Sequence, residues 1–304
     1  MAVKQKIAII GAGLMGHGLA LVFASGGHRV SITDPFPKVL DTVKTRIAST
    51  LRSLGGDEAA LDLVQTVPGL RSTVADAEIV IEAVLERLPV KQAVFAELER
   101  HAPPEALLTS NTSVIPIGQI AAKLQSKHRV LGTHWWNPPY LVPLVEVIQA
   151  EATSLDTVTR MMALLKELGK VPVHVKKDIP GFVGNRLQHA LWREAIALVA
   201  DGVCDAETID LVVKNSFGRR LAVLGPLENA DMVGTDLILD IHENILADLD
   251  RSQSPSPYLR ALVQDGKLGF KSNSGFKDWT EEKKTALRAK VAGHLKMLNQ
   301  LLDI

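Results

Sequence analysis

The sequence has a single cysteine, Cys204, so no disulfide can form within the chain and an oxidising compartment is not indicated. It has no net charge, because 34 Lys and Arg balance 34 Asp and Glu. A general nucleic-acid binder carries a basic excess, so that class is excluded, whereas a local basic pocket for one phosphate-bearing ligand is not. No run reaches the roughly 18 uninterrupted apolar residues of a membrane span. The opening Met-Ala-Val-Lys-Gln-Lys-Ile-Ala-Ile-Ile passes into glycines and His17, with no small-residue cleavage site after a long apolar core. The expected location is therefore the cytoplasm. Internal repeats and low-complexity tracts are also missing, and residues 252–257 are a short polar loop rather than a linker. What is present is apolar sequence, 46% against 22% charged, which suffices for a full core in 304 residues. That length suits one large domain or two ordinary ones.

Short apolar runs at 6–10, 29–33, 79–83, 107–110, 129–133 and 144–148 read as strands. Amphipathic stretches at 14–26, 37–54 and 90–100 read as helices; in the second, Val39, Leu40, Val43, Ile47 and Leu51 share a face. Strand–helix alternation implies a mostly parallel sheet covered on both faces. From Pro180 the pattern becomes helical, at 182–200, 207–215, 227–248 and 281–302, with no convincing strand after Val175. The charged segment ending in Pro-Gly at 176–181 marks a boundary between domains 1–178 and 179–304. The expected fold class is α/β, with an N-terminal Rossmann-type domain and an all-α C-terminal domain.

Gly11-Ala-Gly13-Leu14-Met15-Gly16 follows a strand and opens a helix. Gly11 permits the tight turn, Gly13 lets backbone approach a pyrophosphate, and Gly16 allows close helix–strand packing. The helix N-terminus offers free N–H groups and partial positive charge to phosphates. Asp34 ends the next strand, where a carboxylate accepts hydrogen bonds from the adenosine ribose. It favours NAD over NADP, since a 2′-phosphate would face the carboxylate. Asp34 also reads as a turn acid before Pro35, and Lys38 as a cation that softens the preference or a solvated helix-face lysine.

Four further motifs follow in order: Ser110-Asn-Thr-Ser, His134-Trp-Trp-Asn-Pro-Pro, Leu144-Val-Glu146-Val and Pro180-Gly-Phe-Val-Gly-Asn185-Arg. Each has a plain structural reading. Glu146 is the hardest to read that way, because a carboxylate in an apolar run needs a partner. Pro138 and Pro139 turn the chain after His134, so the returning strand can set Glu146 beside it. Together the motifs resemble the L-3-hydroxyacyl-CoA dehydrogenase family over nearly the whole chain. The resemblance implies NAD as cofactor and a helical C-terminal domain that forms a homodimer. It implies His134 and Glu146 as the catalytic dyad, with Ser110 and Asn185 holding the substrate oxygen and the imidazole. It places Leu14, Met15, Glu86, Lys91, Ser110, Asn137 and Lys271 at the cofactor. The chemistry stands on its own terms. A neutral imidazole suits removal of a hydroxyl proton, a carboxylate fixes its tautomer, and Ser110 and Asn185 polarise the ketone oxygen in reverse. No Cys or His cluster calls for a metal.

Fatty-acid members typically read His-Phe-Phe-Asn-Pro and Lys-Leu-Val-Glu. Here the double proline, Pro143 before Leu-Val-Glu, and 217–226 with Arg219 and Arg220 look more like the branch acting on CoA-free hydroxy acids. That branch includes gulonate 3-dehydrogenase, lambda-crystallin and a pyridine-carboxylate dehydrogenase. The two arginines read equally as partners for a substrate carboxylate or as a solvated loop. Members that bind CoA esters carry a lysine in the helix hairpin after the second strand. Residues 50–58 show none, with Asp57 and Glu58 near the place and Arg52 as the only substitute. Both substrate classes stay open. So do two other readings: a non-enzymatic crystallin-like NAD binder, against which the intact Ser110, His134, Glu146 and Asn185 speak, and a lysine-base hydroxy acid dehydrogenase, against which the His-x-x-Asn-Pro block speaks.

Overall fold

Runs of β-branched residues form the strands of the computed structural model, which describes residues 4–302. The elements up to Val175 run β1 (Lys6–Ile10), α1 (Leu14–Ser25), β2 (Arg29–Thr33), α2 (Pro37–Asp41), α3 (Val43–Leu54), β3 (Val64–Thr66), α4 (Leu70–Val74), β4 (Ile79–Glu82), α5 (Leu88–His101), β5 (Leu107–Ser110), α6 (Ile117–Ile120), β6 (Val130–Trp135), β7 (Leu144–Ile148), α7 (Leu155–Glu167) and β8 (Val171–Val175). The strands make one sheet in the order β3-β2-β1-β4-β5-β6-β7-β8, parallel throughout except at β6–β7. Side chains alternate across it. Ile7 and Ile9 enter one core with α1, α3 and α7, while Ala8 and Ile10 enter a second core with α4, α5 and α6. The chain order turns back between β1 and β4, the switch point where open α/β sheets bind ligands.

A second set of elements is helical: α8 (Gly184–Ala200), α9 (Ala206–Asn215), α10 (Pro226–Val233), α11 (Thr235–Ile245), α12 (Pro257–Gln264) and α13 (Glu281–Leu301). Among the described residues no named strand follows Val175. By its internal contacts the chain forms two compact units. One runs up to Asn185 and takes in the residues from Ala292 on; the other is Arg186–Val291.

The helix expected at 37–54 is broken at Thr42, and that at 227–248 at Gly234, whose φ is +109°. β3, β8 and α7 carry no expectation from the sequence. β3 has three residues, Val-Gln-Thr, too few for a pattern. β8 alternates but holds Pro172 and lies at the sheet edge, where a proline needs no ladder partner. α7 is legible after the fact, with Val158, Met161, Leu164 and Leu165 on its buried face.

Candidate active site

The chain leaves β1 at Ile10 and enters α1 at Leu14. Gly11 has a φ of +104°, and a Cβ there would lie 2.5 Å from the Ala83 carbonyl oxygen. A Cβ on Gly16 would lie 1.8 Å from the Gly11 carbonyl oxygen. Gly13 differs, with nothing within 4 Å of its Cβ position, so backbone there is open to a ligand. No side chain caps α1, leaving its first N–H groups for phosphate oxygens. Leu14 is exposed and Met15 packs at the core margin. Asp34 follows β2; Oδ2 accepts from Ala12 N at 2.8 Å and Oδ1 from Phe36 N at 2.9 Å. Each oxygen retains a lone pair for a ribose hydroxyl. The loop therefore fits a dinucleotide.

Arg46 on α3 holds this loop from outside. Its Nη2 donates to Ala12 O at 2.6 Å and Val39 O at 3.1 Å, and Nη1 donates to Gly13 O at 3.2 Å. His17 Nδ1 lies 2.9 Å from Gly13 O and 3.2 Å from Arg46 Nη1. Burial lowers the His17 pKa; its bond to Gly13 opposes this and the Arg46 charge adds to it. An Asp34–Arg46 pair thus fixes both the N–H and the C=O of Ala12.

A second cluster closes the ends of β4 and β5. Glu82 is fully buried; Oε1 accepts from Val84 N and Lys91 Nζ, each at 2.7 Å, and Oε2 from Ser110 Oγ at 2.6 Å. Lys91 is buried and also pairs with Glu86 Oε2 at 3.2 Å. Glu86 Oε1 accepts from Ser113 N at 3.0 Å, Val114 N at 3.2 Å and the Thr112 hydroxyl. Burial opposes its ionisation, but the bond from Thr112, the Lys91 charge and the Val114 N–H hold its pKa below the ordinary carboxylate value. Glu86 and Lys91 therefore anchor the Ser-Asn-Thr-Ser loop.

In the β6–β7 ladder, His134 stands directly opposite Glu146, both buried. His134 Nδ1 lies 2.7 Å from Glu146 Oε2. The other carboxylate oxygen accepts from Val183 N at 2.9 Å and Gly184 N at 3.0 Å, where α8 begins. Burial alone would raise the Glu146 pKa; the bonds from His134, Gly184 and Val183 outweigh it and lower the value. An ionised Glu146 keeps the proton on Nδ1 and leaves the Nε2 lone pair free. A Cβ on Gly184 would lie 2.5 Å from the Trp136 ring and 3.3 Å from Glu146 Oε2, which accounts for glycine there. Asn185 Nδ2 donates to Ser113 O at 2.8 Å, joining the α8 start to the Ser110 loop. Asn137 is exposed beside the dyad strand. Lys271, Arg219 and Arg220 belong to the Arg186–Val291 unit and are exposed. Among the described residues no group of three His, Cys, Asp or Glu side chains is placed to hold a metal.

Residues 6–179 match the family model for the 3-hydroxyacyl-CoA dehydrogenase NAD binding domain, and residues 181–279 match that for its C-terminal domain. The chain belongs to the 3-hydroxyacyl-CoA dehydrogenase family. It is an NAD-dependent oxidoreductase. It is 34% identical to the 5-formyl-3-hydroxy-2-methylpyridine 4-carboxylate 5-dehydrogenase of Mesorhizobium japonicum, over 98% of both chains. It is 39% identical to a probable 3-hydroxybutyryl-CoA dehydrogenase of Bacillus subtilis, over 93% of this chain and 99% of the relative. A crystal structure of a 5-formyl-3-hydroxy-2-methylpyridine 4-carboxylic acid 5-dehydrogenase, an NAD+-dependent dismutase, superposes with a TM-score of 0.92 at 34% identity, covering 99% of each chain.

For this member of the family, sequence reasoning missed three parts of the site. Glu82 carried a signal, an acid closing the apolar run Ile-Val-Ile-Glu, the same anomaly that marks Glu146. Arg46 carried none, since one arginine on a helix face reads as solvated. The Val183 and Gly184 N–H groups are backbone, and only a positive φ at Gly181 (+74°) and Phe182 (+50°) aims them.

Proposed function

We propose that the protein oxidises the hydroxyl of a 3-hydroxyacyl substrate to the 3-keto product, with His134 as general base. The observation that carries this reading is the 2.7 Å contact between His134 Nδ1 and Glu146 Oε2. It leaves Nε2 able to take the hydroxyl proton, and Glu146 stabilises the imidazolium that forms. NAD, when bound, accepts the hydride from the substrate carbon. The N-terminal loop holds that cofactor through Gly11, Gly13, Gly16 and Asp34. Asn185 and Ser110 would hold the substrate oxygen and the imidazole.

A small CoA-free hydroxy acid is the favoured substrate. Residues 50–58, at the far end of the helix hairpin after β2, hold no lysine, and Arg52 there pairs with Glu58 at 3.5 Å, which offsets its charge. The similarity to the pyridine-carboxylate enzyme supports the same choice. Arg219 and Arg220 would pair with the carboxylate. The probable 3-hydroxybutyryl-CoA dehydrogenase relatives support the CoA ester as the second reading. The assembly is a homodimer formed through residues beyond 180.

A panel of free 3-hydroxy acids and 3-hydroxyacyl-CoA esters, followed by NADH formation, tests both parts. Free acids are expected to win in kcat/KM. Efficient turnover of the esters alone would reject the substrate choice and keep the chemistry. His134→Ala is expected to lower kcat by about 10²-fold or more while NADH still binds. Near-wild-type turnover in that variant would remove the mechanism.

A further inference from the structure

α1 is apolar almost throughout, Leu-Met-Gly-His-Gly-Leu-Ala-Leu-Val-Phe-Ala-Ser, and it buries every residue from Gly16 to Ala24. His17 is its one titratable side chain. A buried polar ring needs a partner, and His17 finds it in the Gly13 carbonyl, 2.9 Å from Nδ1. This bond stands in for the helix's own. The His17 backbone N–H, which closes the first turn of α1 on Gly13 O, lies 3.4 Å from it, longer than such bonds usually are. An acceptor at 2.9 Å puts the ring proton on Nδ1. Arg46 Nη1 donates to the same oxygen at 3.2 Å. Its 3.2 Å approach to Nδ1 is therefore that of two donors sharing one acceptor. Burial, with the Arg46 charge adding to it, holds the His17 pKa below its ordinary value, so the ring stands neutral beside the guanidinium.

We infer that His17 is a positioning residue of the cofactor loop: its Nδ1–H holds the Gly13 carbonyl, and through that peptide it aims the Leu14 N–H at the cofactor pyrophosphate. The inference rests on the reading that the loop from Gly11 to Gly16 takes the pyrophosphate. A trans peptide sets its C=O and N–H antiparallel, so an oxygen that is held fixes the direction of the N–H across the same bond. Gly13 O and Leu14 N–H share one peptide. Leu14 opens α1, and its N–H has no earlier turn to bond. The preceding peptide is held in the same way, since Arg46 Nη2 donates to Ala12 O at 2.6 Å and so fixes the Gly13 N–H. Two successive N–H groups are thus aimed from behind, and no Cβ at Gly13 stands in front of them. A phosphate oxygen meets donors that are already pointed, and binding need not first order the peptides.

Two ligands separate aiming from packing. ADP-ribose carries the pyrophosphate, and adenosine lacks it. The NADH dissociation constant is read from its fluorescence, and those of ADP-ribose and adenosine from its displacement. His17→Leu keeps an apolar side chain in the core and removes the donor. It is expected to weaken NADH and ADP-ribose by about 5- to 10-fold, the loss of one hydrogen bond, and adenosine by less than about twofold. Asparagine sets an amide nitrogen the same number of bonds from Cβ as Nδ1. His17→Asn is therefore expected to bring ADP-ribose back to within about threefold of the wild type, although asparagine is a poorer helix former than leucine. If His17→Leu does not fold, His17→Phe takes its place with the same expectation.

Equal weakening of adenosine and ADP-ribose by His17→Leu would overturn the inference, by making the ring a packing element only. ADP-ribose bound by His17→Leu as tightly as by the wild type would also overturn it, as would His17→Asn binding no better than His17→Leu. A wild-type protein that binds neither NADH nor ADP-ribose would reject the loop reading itself, before any variant is made.

Discussion

Glu146 shows how one carboxylate does two jobs. Its two oxygens have different partners, one the His134 imidazole and the other the N–H groups that start α8. Both positions require an acceptor, and an amide supplies only one oxygen. Glu146→Gln therefore sets an NH2 against either the His134 N–H or two backbone N–H groups. We expect kcat to fall by about 10²-fold or more, with NADH affinity retained. The same group makes stability depend on pH. Its pKa is lowered in the folded state, so its contribution is complete above the unfolded carboxylate value of about 4.3 and is lost as pH falls below that, through the lower folded value. Melting temperatures measured across pH 3–6 are expected to drop less steeply at the acid end in Glu146→Gln than in the wild type. Parallel curves would place the acid sensitivity elsewhere.

The parallel strands were readable as apolar runs because they are buried on both faces. The glycine loop was readable because backbone geometry leaves no other residue at Gly11 and Gly16. His134 and Glu146 were readable as a pair because two prolines force the return of the chain. What escaped was whatever depends on a side chain reaching another element, as Arg46 reaches from α3 to the loop before α1. That loop presents N–H groups to phosphate on one side and C=O groups to Arg46 on the other. Arg46→Ala frees the Ala12 and Gly13 carbonyls without touching the ligand side. A charged hydrogen bond lost at a positioning residue is worth about 1.5–3 kcal/mol, or about 10-fold and upward in affinity. The expected result is a KM for NAD at least about 10-fold higher with kcat within about twofold, and partial recovery in Arg46→Lys. NADH and NADPH dissociation constants measured by fluorescence should weaken by the same factor. A selective loss of NADPH would instead make Arg46 a phosphate contact.

At the scale of the whole molecule the two units are built differently. The first buries two continuous cores. In the second, no residue of α9, α10 or α11 is buried, and Leu211, Val212, Leu237, Leu239 and Ile241 are exposed. Apolar surface of that extent is the ground for expecting a partner copy there. Light scattering at micromolar concentration is expected to give twice the chain mass of 32.9 kDa. Charged substitutions at Leu237 and Ile241 should shift it toward the single chain. A wild-type mass near one chain would reject the dimer. No helix among the described residues is long and apolar enough to cross a membrane.

The last turns of α13 belong to the first unit, where Asn299 Nδ2 donates to Leu141 O at 2.8 Å and Lys296 Nζ to the Ser53 carbonyl. Leu141 lies in the turn between His134 and Glu146. On the ribosome the first unit's strands emerge early, yet this clasp on the turn between β6 and β7 cannot form until the whole of Arg186–Val291 has been translated and α13 follows it out. The nascent polypeptide therefore holds every strand of the eight-stranded sheet before the contact that fastens the β6–β7 turn can be made.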